Sequence, residues 1–228
     1  MDKTEIVIAL IGNPNSGKTT VFNNLTGARQ HVGNWPGVTV EKKEGLCQMQ
    51  QYQCKVVDLP GVYSLTAYSP DEVIARDFIL NERPDVVVDI VDASNLERNL
   101  YLTLQIMEMG VPLIIALNMM DEAESKGYKI DTEAMSRETG VPVVPMVANH
   151  NKGTDKLLDV ISGIAGEEIN THAVKIEYGK EVEKEITELE KSIAQSRIAQ
   201  DYSPRWLAIK LLEDDAEIVK LFEGVKSA

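Results

Sequence analysis

The chain has 228 residues, 43% of them hydrophobic and 26% charged, which fits one substantial globular domain with a small appendage. Its formal net charge of −13 argues against a nucleic-acid partner, because binding to a phosphate backbone relies on clustered Lys and Arg. No stretch reaches the roughly 18 to 20 apolar residues of a membrane span, and the N-terminus lacks a secretory pattern, so we expect a soluble cytoplasmic chain.

Short apolar runs alternate with amphipathic helical patterns over the first 165 residues. The run 6–11 is too short for a globular helix and is typical of a buried parallel strand, as are the runs 86–91, 113–117 and 141–144. The stretch 42–58 indicates a hairpin with Gln50 and Gln51 at its centre. Ser69, Pro70 and Glu72 have the pattern of a capping box that opens a helix. We therefore predict an α/β fold with a mixed, mostly parallel sheet covered by helices on both faces.

The pattern changes after Gly166, where helical periodicity takes over. An apolar stripe at three- and four-residue spacing is formed by Val182, Ile186, Leu189 and Ile193. Pro204 marks a break or the start of another helix. The sequence therefore predicts an α/β domain over residues 1–166 and a small all-helical subdomain over residues 167–228.

Cys47 and Cys54 lie almost symmetrically about Gln50 and Gln51, so a tight hairpin would place them opposite each other. In a reducing cytosol two free thiols are the default, and we interpret both as structural while leaving their pairing open. His31, His150 and His172 have no evident partner, which favours solvated or structural roles.

The segment Gly12-Asn-Pro-Asn-Ser-Gly-Lys-Thr19 fits the pattern GxxxxGK[ST] and follows a predicted strand directly. In such a loop the backbone N–H groups surround phosphates, and the next helix adds its positive N-terminal dipole. Lys18 is expected to neutralise the β and γ phosphates, and the Thr19 hydroxyl to bind Mg²⁺. The predicted nucleotide contacts in this segment are Gly12, Asn13, Asn15, Ser16, Gly17, Lys18, Thr19 and Thr20.

Guanine recognition is predicted for Asn118-Met-Met-Asp121, which follows another apolar strand. The Asp121 carboxylate can accept two hydrogen bonds from guanine, whereas adenine would present it with a lone pair. Asn118 would brace neighbouring loops and touch the base. Met119 stands where Lys is usual and would pack on the base. Val147, Ala148 and Asn149 form a weaker fifth element, in which the Ala148 amide would contact the guanine carbonyl.

Asp58-Leu-Pro-Gly61 matches the element DxxG, in which Asp58 would hold Mg²⁺ through water and the Gly61 amide would contact the γ-phosphate. Upstream, a Gly- and Pro-rich loop ends at Thr39, a natural second Mg²⁺ ligand when a γ-phosphate is present. Residues 29–40 and 60–70 are therefore predicted to be the two switch segments. The predicted Mg²⁺ ligands are Thr19, Thr39 and Asp58.

These five elements in this order resemble the small GTPase fold of the Ras-like superfamily. The loop 32–41, the runs 58–64 and 95–103, and the tail segment 205–212 resemble more narrowly the FeoB family of prokaryotic ferrous iron transporters. The resemblance spans essentially the whole chain. It implies a GTP-binding domain and a helical domain that inhibits guanine-nucleotide dissociation, located on the cytoplasmic face of the inner membrane beside an iron permease on the same chain.

The resemblance also implies K⁺ bound by Asn15, with backbone carbonyls near Gly33 and Trp35 completing its shell. Val62 stands where Ras-type enzymes place a Gln that orients water, so GTP hydrolysis is expected to be slow in isolation. The residues expected to take part in catalysis are Asn15, Lys18, Thr39 and Gly61. Self-association is possible. The alternatives are a soluble GTPase of translation or tRNA modification, or a nucleotide-dependent switch with negligible catalysis.

Overall fold

The computed structural model describes residues 5–27, 29–49, 52–169, 171 and 174–226. The predicted hairpin centre at Gln50 and Gln51, and His172, lie outside these residues. Within them the chain forms a sheet with helices on both faces, followed by helices alone. The predicted α/β class is confirmed.

The sheet has seven strands in the spatial order β2-β3-β4-β1-β5-β6-β7. The strands β1, β4, β5, β6 and β7 run parallel, whereas β3 is antiparallel to both β2 and β4. Their bounds are β1 Glu5–Gly12, β2 Gln30–Asn34, β3 Glu41–Gln48, β4 Gln53–Asp58, β5 Val86–Asp92, β6 Leu113–Asn118 and β7 Val143–Pro145. Every predicted strand is present. No sequence pattern indicates β2, which is short, polar and mostly exposed.

Nine helices lie in the described part of the chain. They are α1 Lys18–Thr26, α2 Pro70–Asp77, α3 Leu96–Met109, α4 Met120–Ser125, α5 Thr132–Thr139, α6 Thr154–Ala165, α7 Lys180–Ile193, α8 Pro204–Leu212 and α9 Ala216–Lys226. The capping box predicted at Ser69 is formed, with Glu72 bonding back to it. A π-helical turn, Phe78–Glu82, continues α2, and Pro204 opens α8.

Apolar side chains pack on both faces of the sheet. One cluster joins Ile8, Val56 and Val88 to α1 and α6. The larger cluster lies on the other face and is continuous with the helical tail, whose Ile186 and Trp206 are each 1% exposed. The four residues of the predicted stripe lie on one helix, α7. Ile186 and Ile193 are buried and Leu189 is partly buried, whereas Val182 is 44% exposed.

Cys47 and Cys54 are register partners on β3 and β4, and both are buried free thiols. Along the described residues, no helix is both long and apolar enough to cross a membrane.

Candidate nucleotide site

The loop between β1 and α1 has two positions at which only glycine fits. Gly17 has φ 88°, and an added Cβ there would lie 2.2 Å from the Asn118 Nδ2 atom. A Cβ on Gly12 would lie 2.5 Å from the carbonyl oxygen of Ile90. Both approaches are far below van der Waals contact, so the two glycines allow the loop to pack directly on the ends of β5 and β6.

Buried polar atoms in this loop have no partner among the described residues. The amide of Asn13 and the hydroxyl of Ser16 belong to residues that are 4% and 1% exposed, and neither has a hydrogen bond. Buried polar groups in folded proteins are nearly always bonded, so such groups require an explanation. A polar ligand seated in the loop satisfies this requirement, and the loop has the composition of a phosphate site.

Lys18 and Asp58 form a direct ion pair, with side chains that are 11% and 8% exposed. The two residues come from the start of α1 and the end of β4, so both lie at the carboxyl ends of the parallel strands. A phosphate beside the ammonium and a cation beside the carboxylate would each replace the charge that the partner now supplies. The structure therefore brings together the two charged residues that the sequence assigned to phosphate and Mg²⁺.

Asn118 connects the loops of the site. Its Nδ2 donates to the carbonyl of Ser16 at 2.9 Å, and its Oδ1 accepts from the Ala148 amide at 2.9 Å. The Ala148 carbonyl in turn accepts from Asn24 of α1 at 2.9 Å. Because Asn118 is 3% exposed, these bonds are shielded from water. The bracing role predicted for Asn118 is thus present in the geometry.

The residues predicted to read the base follow β6 in a short turn. Met119 has φ 60° and precedes α4, and its terminal methyl lies 3.7 Å from an ideal Cβ at Gly17. Asp121 is exposed in the first turn of α4, so its carboxylate is accessible. Val147 precedes a 3-10 turn over Ala148–His150, which includes the exposed Asn149. These loops surround one corner of the sheet beside the phosphate loop.

The first switch begins on the edge strand of the sheet and then turns back. Its residues 30–34 form β2, which is separated from β1 by β3 and β4, about 14 Å at ordinary strand spacing. After the turn the chain enters β3, whose Lys43 is the register partner of Asp58. Trp35 is buried against Phe78, with ring centroids 5.6 Å apart, and Thr39 is exposed in the following loop. Among the described residues, no hydrogen bond or ion pair joins Gly33, Trp35 or Thr39 to Asn15, Thr19 or Asp58. The roles predicted for Gly33, Trp35 and Thr39 stay predictions.

The second switch begins close to the phosphate loop. The Val62 amide donates to the Gly12 carbonyl at 3.2 Å, and the Val62 side chain is 3% exposed in the core. An ideal Cβ on Gly61 would be 3.5 Å from Pro14, so Gly61 lies beside the loop. Val62 therefore presents backbone to the site and no side chain.

Two residues that anchor the second switch were missed at the sequence level. Gln105 of α3 accepts from the Leu65 amide at 2.7 Å. Glu72, predicted only as a cap, also accepts from the Ser64 hydroxyl at 2.8 Å and the Tyr68 amide at 2.9 Å. The available signal in the sequence was a Gln among the apolar residues of α3, and in the structure this Gln105 is buried.

The donor set suits Mg²⁺, which prefers oxygen ligands and retains waters. Thr19 is exposed at the start of α1, and the Asp58 carboxylate lies at the same carboxyl end of the parallel strands. Among the described residues no group of three or more His, Cys, Asp or Glu could hold a metal. Asn15 is exposed with φ 68°, so its side-chain carbonyl is accessible to a cation.

The fold and the site together define a GTP-binding P-loop domain with an appended helical part. Two family models match: "Ferrous iron transport protein B" over residues 6–161, and "FeoB cytosolic helical domain" over residues 178–227. The chain belongs to the ferrous iron transport protein B family.

Relatives and solved structures agree. The chain is 47% identical over 217 residues to an "Fe(2+) transport protein A/Fe(2+) transporter FeoB fusion protein" of Porphyromonas gingivalis, covering 93% of this chain and 26% of that protein. It is 47% identical to the Fe(2+) transporter FeoB of Salmonella typhimurium, covering 92% and 27%. The chain thus spans about a quarter of the length of these relatives.

Two solved forms of the cytosolic domain of the T. maritima FeoB iron transporter share this fold. The GDP form II matches with a TM-score of 0.91 at 41% identity, covering 97% of this chain and 86% of that one. The form with GMPPNP matches with a TM-score of 0.89 at 42% identity, covering 97% and 85%.

Proposed function

We propose that this chain is the GTP-binding and slowly GTP-hydrolysing regulatory part of a ferrous iron transporter, stimulated by K⁺. The observation that carries the proposal is the pair of hydrogen bonds by which the Asn118 side chain joins the phosphate loop at Ser16 to the base loop at Ala148. Beside these loops Asp121 is exposed and suited to accept from guanine. Related domains are described with GDP and GMPPNP, which supports the same ligands here.

Slow hydrolysis follows from the second switch. The Val62 side chain is buried, so no side chain at this position can orient the attacking water. Catalysis would then depend on Lys18, the Gly61 amide, Thr39 of the first switch, and a cation. When bound, Mg²⁺ on Thr19, Asp58 and Thr39 would offset phosphate charge, and K⁺ on Asn15 would add to this.

The helical part, proposed as residues 167–228, would slow GDP release by restraining the second switch. Arg76 of α2 donates to Asp215, just before α9, at 2.7 Å, and both side chains are nearly enclosed. This buried pair joins the helix that follows the second switch to the helical part. A restraint on α2 would be transmitted through Glu72 to residues 64–69.

Membrane attachment is proposed on the basis of the relatives. They are named as Fe(2+) transporters and are about three and a half times as long as this chain, which leaves room for a membrane-spanning permease on the same polypeptide. On this proposal the chain functions at the cytoplasmic face of the inner membrane. The family assignment and the acidic tail both favour this function over a GTPase of translation or tRNA modification.

The test is single-turnover GTP hydrolysis in KCl and NaCl at equal ionic strength. We expect K⁺ to accelerate hydrolysis about 10- to 100-fold, equivalent to about 1.4 to 2.7 kcal/mol of transition-state stabilisation. Asn15→Ala should reduce the ratio of the rates in KCl and NaCl to about one. Asn149→Ala, which changes an exposed asparagine on the base side, should keep the ratio even if its affinity changes. Equal rates in the two salts for the unmutated chain would refute K⁺ stimulation. No hydrolysis in either salt would support the alternative of a nucleotide-dependent switch with negligible catalysis.

A further inference from the structure

The strand β2 has one row of backbone groups that faces away from the sheet. Just outside its ladder with β3, the Leu46 amide donates to Arg29 and the Trp35 amide donates to Val40. These bonds fix the phase of the antiparallel ladder, in which residues bonded to the partner strand alternate with residues that are not. The N–H and C=O groups of Gln30, Val32 and Asn34 therefore point outward, at the edge of the seven-stranded sheet.

This edge lacks the usual protection against pairing. Natural edge strands commonly carry charged side chains, proline or bulges that block another strand. The β2 sequence Gln-His-Val-Gly-Asn has neither Lys, Asp, Glu nor Pro, and its register with β3 runs without a bulge. Val32, at the centre of the strand, is 54% exposed. An uncharged edge with an exposed apolar centre is suited to accept a strand.

We propose that this edge pairs with β2 of a second copy of the chain, antiparallel about a two-fold axis at Val32. In that register Val32 faces its own symmetry mate, and Gln30 faces Asn34 of the other copy. All three positions have outward N–H and C=O groups, so six backbone hydrogen bonds form and the two Val32 side chains contact each other. The strand is complementary to itself in this register, which is the requirement for a two-fold interface.

The pairing would be linked to nucleotide state, and this link rests on the proposed function. β2 lies within residues 29–40, the predicted first switch, which we expect to rearrange when Thr39 binds Mg²⁺ beside a triphosphate. If that movement detaches residues 30–34 from β3, the outward row of backbone groups is lost. GTP would then separate two copies that associate in the apo or GDP state.

The association is measured on the unmutated chain by sedimentation velocity over a dilution series. With only five residues per strand the interface is small, so we expect a dissociation constant of about 10⁻⁵ to 10⁻³ M. Val32→Pro should abolish the dimer, since it removes an outward N–H while leaving the bonds to β3. Val32→Ala keeps every backbone bond and is the matched control. Far-UV circular dichroism and thermal unfolding verify that both variants fold.

Hydrogen exchange tests the register directly. At high protein concentration the amides of Gln30, Val32 and Asn34 should gain protection, while those of His31 and Gly33 should be protected at all concentrations. Added salt should strengthen the dimer, because each copy has a net charge of −13 and the edge itself is uncharged. A chain that stays monomeric at millimolar concentration, or a Val32→Pro variant that dimerises like Val32→Ala, overturns the proposal.

GMPPNP with Mg²⁺ should lower the dimer fraction relative to GDP. A dimer that persists unchanged with GMPPNP would overturn the link to the first switch while supporting the β2 pairing. Binding of GMPPNP is verified separately by competition, so a failure of nucleotide binding is distinguished from a failure of the interface.

Discussion

Asp89 is enclosed in the middle of β5, with 1% of its surface exposed. Burial raises the pKa of its carboxyl from the ordinary 3.8 to about 7, and the hydrogen bond donated by the Thr103 hydroxyl at 2.6 Å opposes this only in part. The folded chain therefore holds a proton on Asp89 at pH values where the unfolded chain has lost it. Stability that is present below about pH 4 is lost as the pH rises towards 7.

We expect this residue to lower the free energy of unfolding by about 1 to 3 kcal/mol between pH 5 and pH 8. Asp89→Asn cannot ionise and its Oδ1 can still accept from Thr103, so its stability should depend less on pH. Urea unfolding of both proteins at the two pH values measures the difference. Glu108, whose pKa burial also raises to about 7, is unchanged in both and cancels. Equal pH dependence in the two proteins would show that Asp89 does not titrate in this range.

Asp121 is the residue on which guanine specificity depends. Replacing it with Asn exchanges an acceptor for a donor, and xanthine has a carbonyl where guanine has its amine. We expect Asp121→Asn to weaken GTP binding about 10- to 100-fold and to favour xanthosine triphosphate. Competition binding measures this. Glu122→Gln, which alters the adjacent exposed carboxylate, should keep the GTP preference, and an Asp121→Asn variant that does so too would exclude Asp121 as the base reader.

At the scale of the elements, Trp35 holds the first switch against Phe78, the first residue of the π-helical turn that continues α2. Its ring meets Phe78 at 74° with centroids 5.6 Å apart, and the Lys42 ammonium lies 4.8 Å from the indole centroid. Edge-to-face pairs contribute about 0.5 to 1.5 kcal/mol beyond the area they bury. The contact stabilises the position in which β2 pairs with β3, and movement of residues 29–40 has to break it.

Phe78→Ala removes this contact without replacing any residue that is predicted to bind the nucleotide or a cation. We expect the affinity for GMPPNP relative to GDP to rise about 2- to 12-fold, the equilibrium equivalent of the lost contact energy. Tyr202→Ala removes an aromatic contact with Trp206 in the helical part and is the control, for which the ratio should stay constant. A ratio that stays constant in Phe78→Ala as well would show that the Trp35 contact does not restrain the switch.

At the scale of the whole molecule, the α/β part and the helical part share one core, so the tail is not an independent appendage. Trp206 and Leu207 of α8 are fully enclosed in the cluster that contains Val87 and Ile115 of the sheet. Deleting the tail would expose this apolar surface, so point changes at the junction are the better probe of its role. The Arg76–Asp215 pair is the buried polar connection between the parts.

Asp215→Asn removes the charge that faces Arg76, while its side-chain oxygen can still accept from the Glu217 and Ile218 amides at the start of α9. Arg76 keeps the half-exposed Asp77 carboxylate 3.8 Å away, but it loses its buried partner, which is destabilising to the local contact. We expect release of mantGDP, timed by fluorescence, to accelerate about 5- to 50-fold, equivalent to about 1 to 2.3 kcal/mol.

The control for this change is Asp201→Asn. Asp201 pairs with Arg83 between the same two parts, but on the surface, where the side chains are 67% and 60% exposed. Exposed pairs contribute little, so its effect on release should stay below about two-fold. If both variants release GDP at the unmutated rate, the helical part does not restrain the nucleotide site through α2.

The sequence by itself determined the α/β class, the strands of the parallel sheet, the phosphate loop and the residues expected to contact the base, because these depend on local periodicity and fixed spacing. It did not predict β2, which has no apolar alternation and exists only because β3 offers a partner. It also did not place Gln105, Arg76 and Asp215, which are far apart in the chain. Only the tertiary structure decided that the first switch lies at the sheet edge and that the tail shares the core, since both follow from long-range packing.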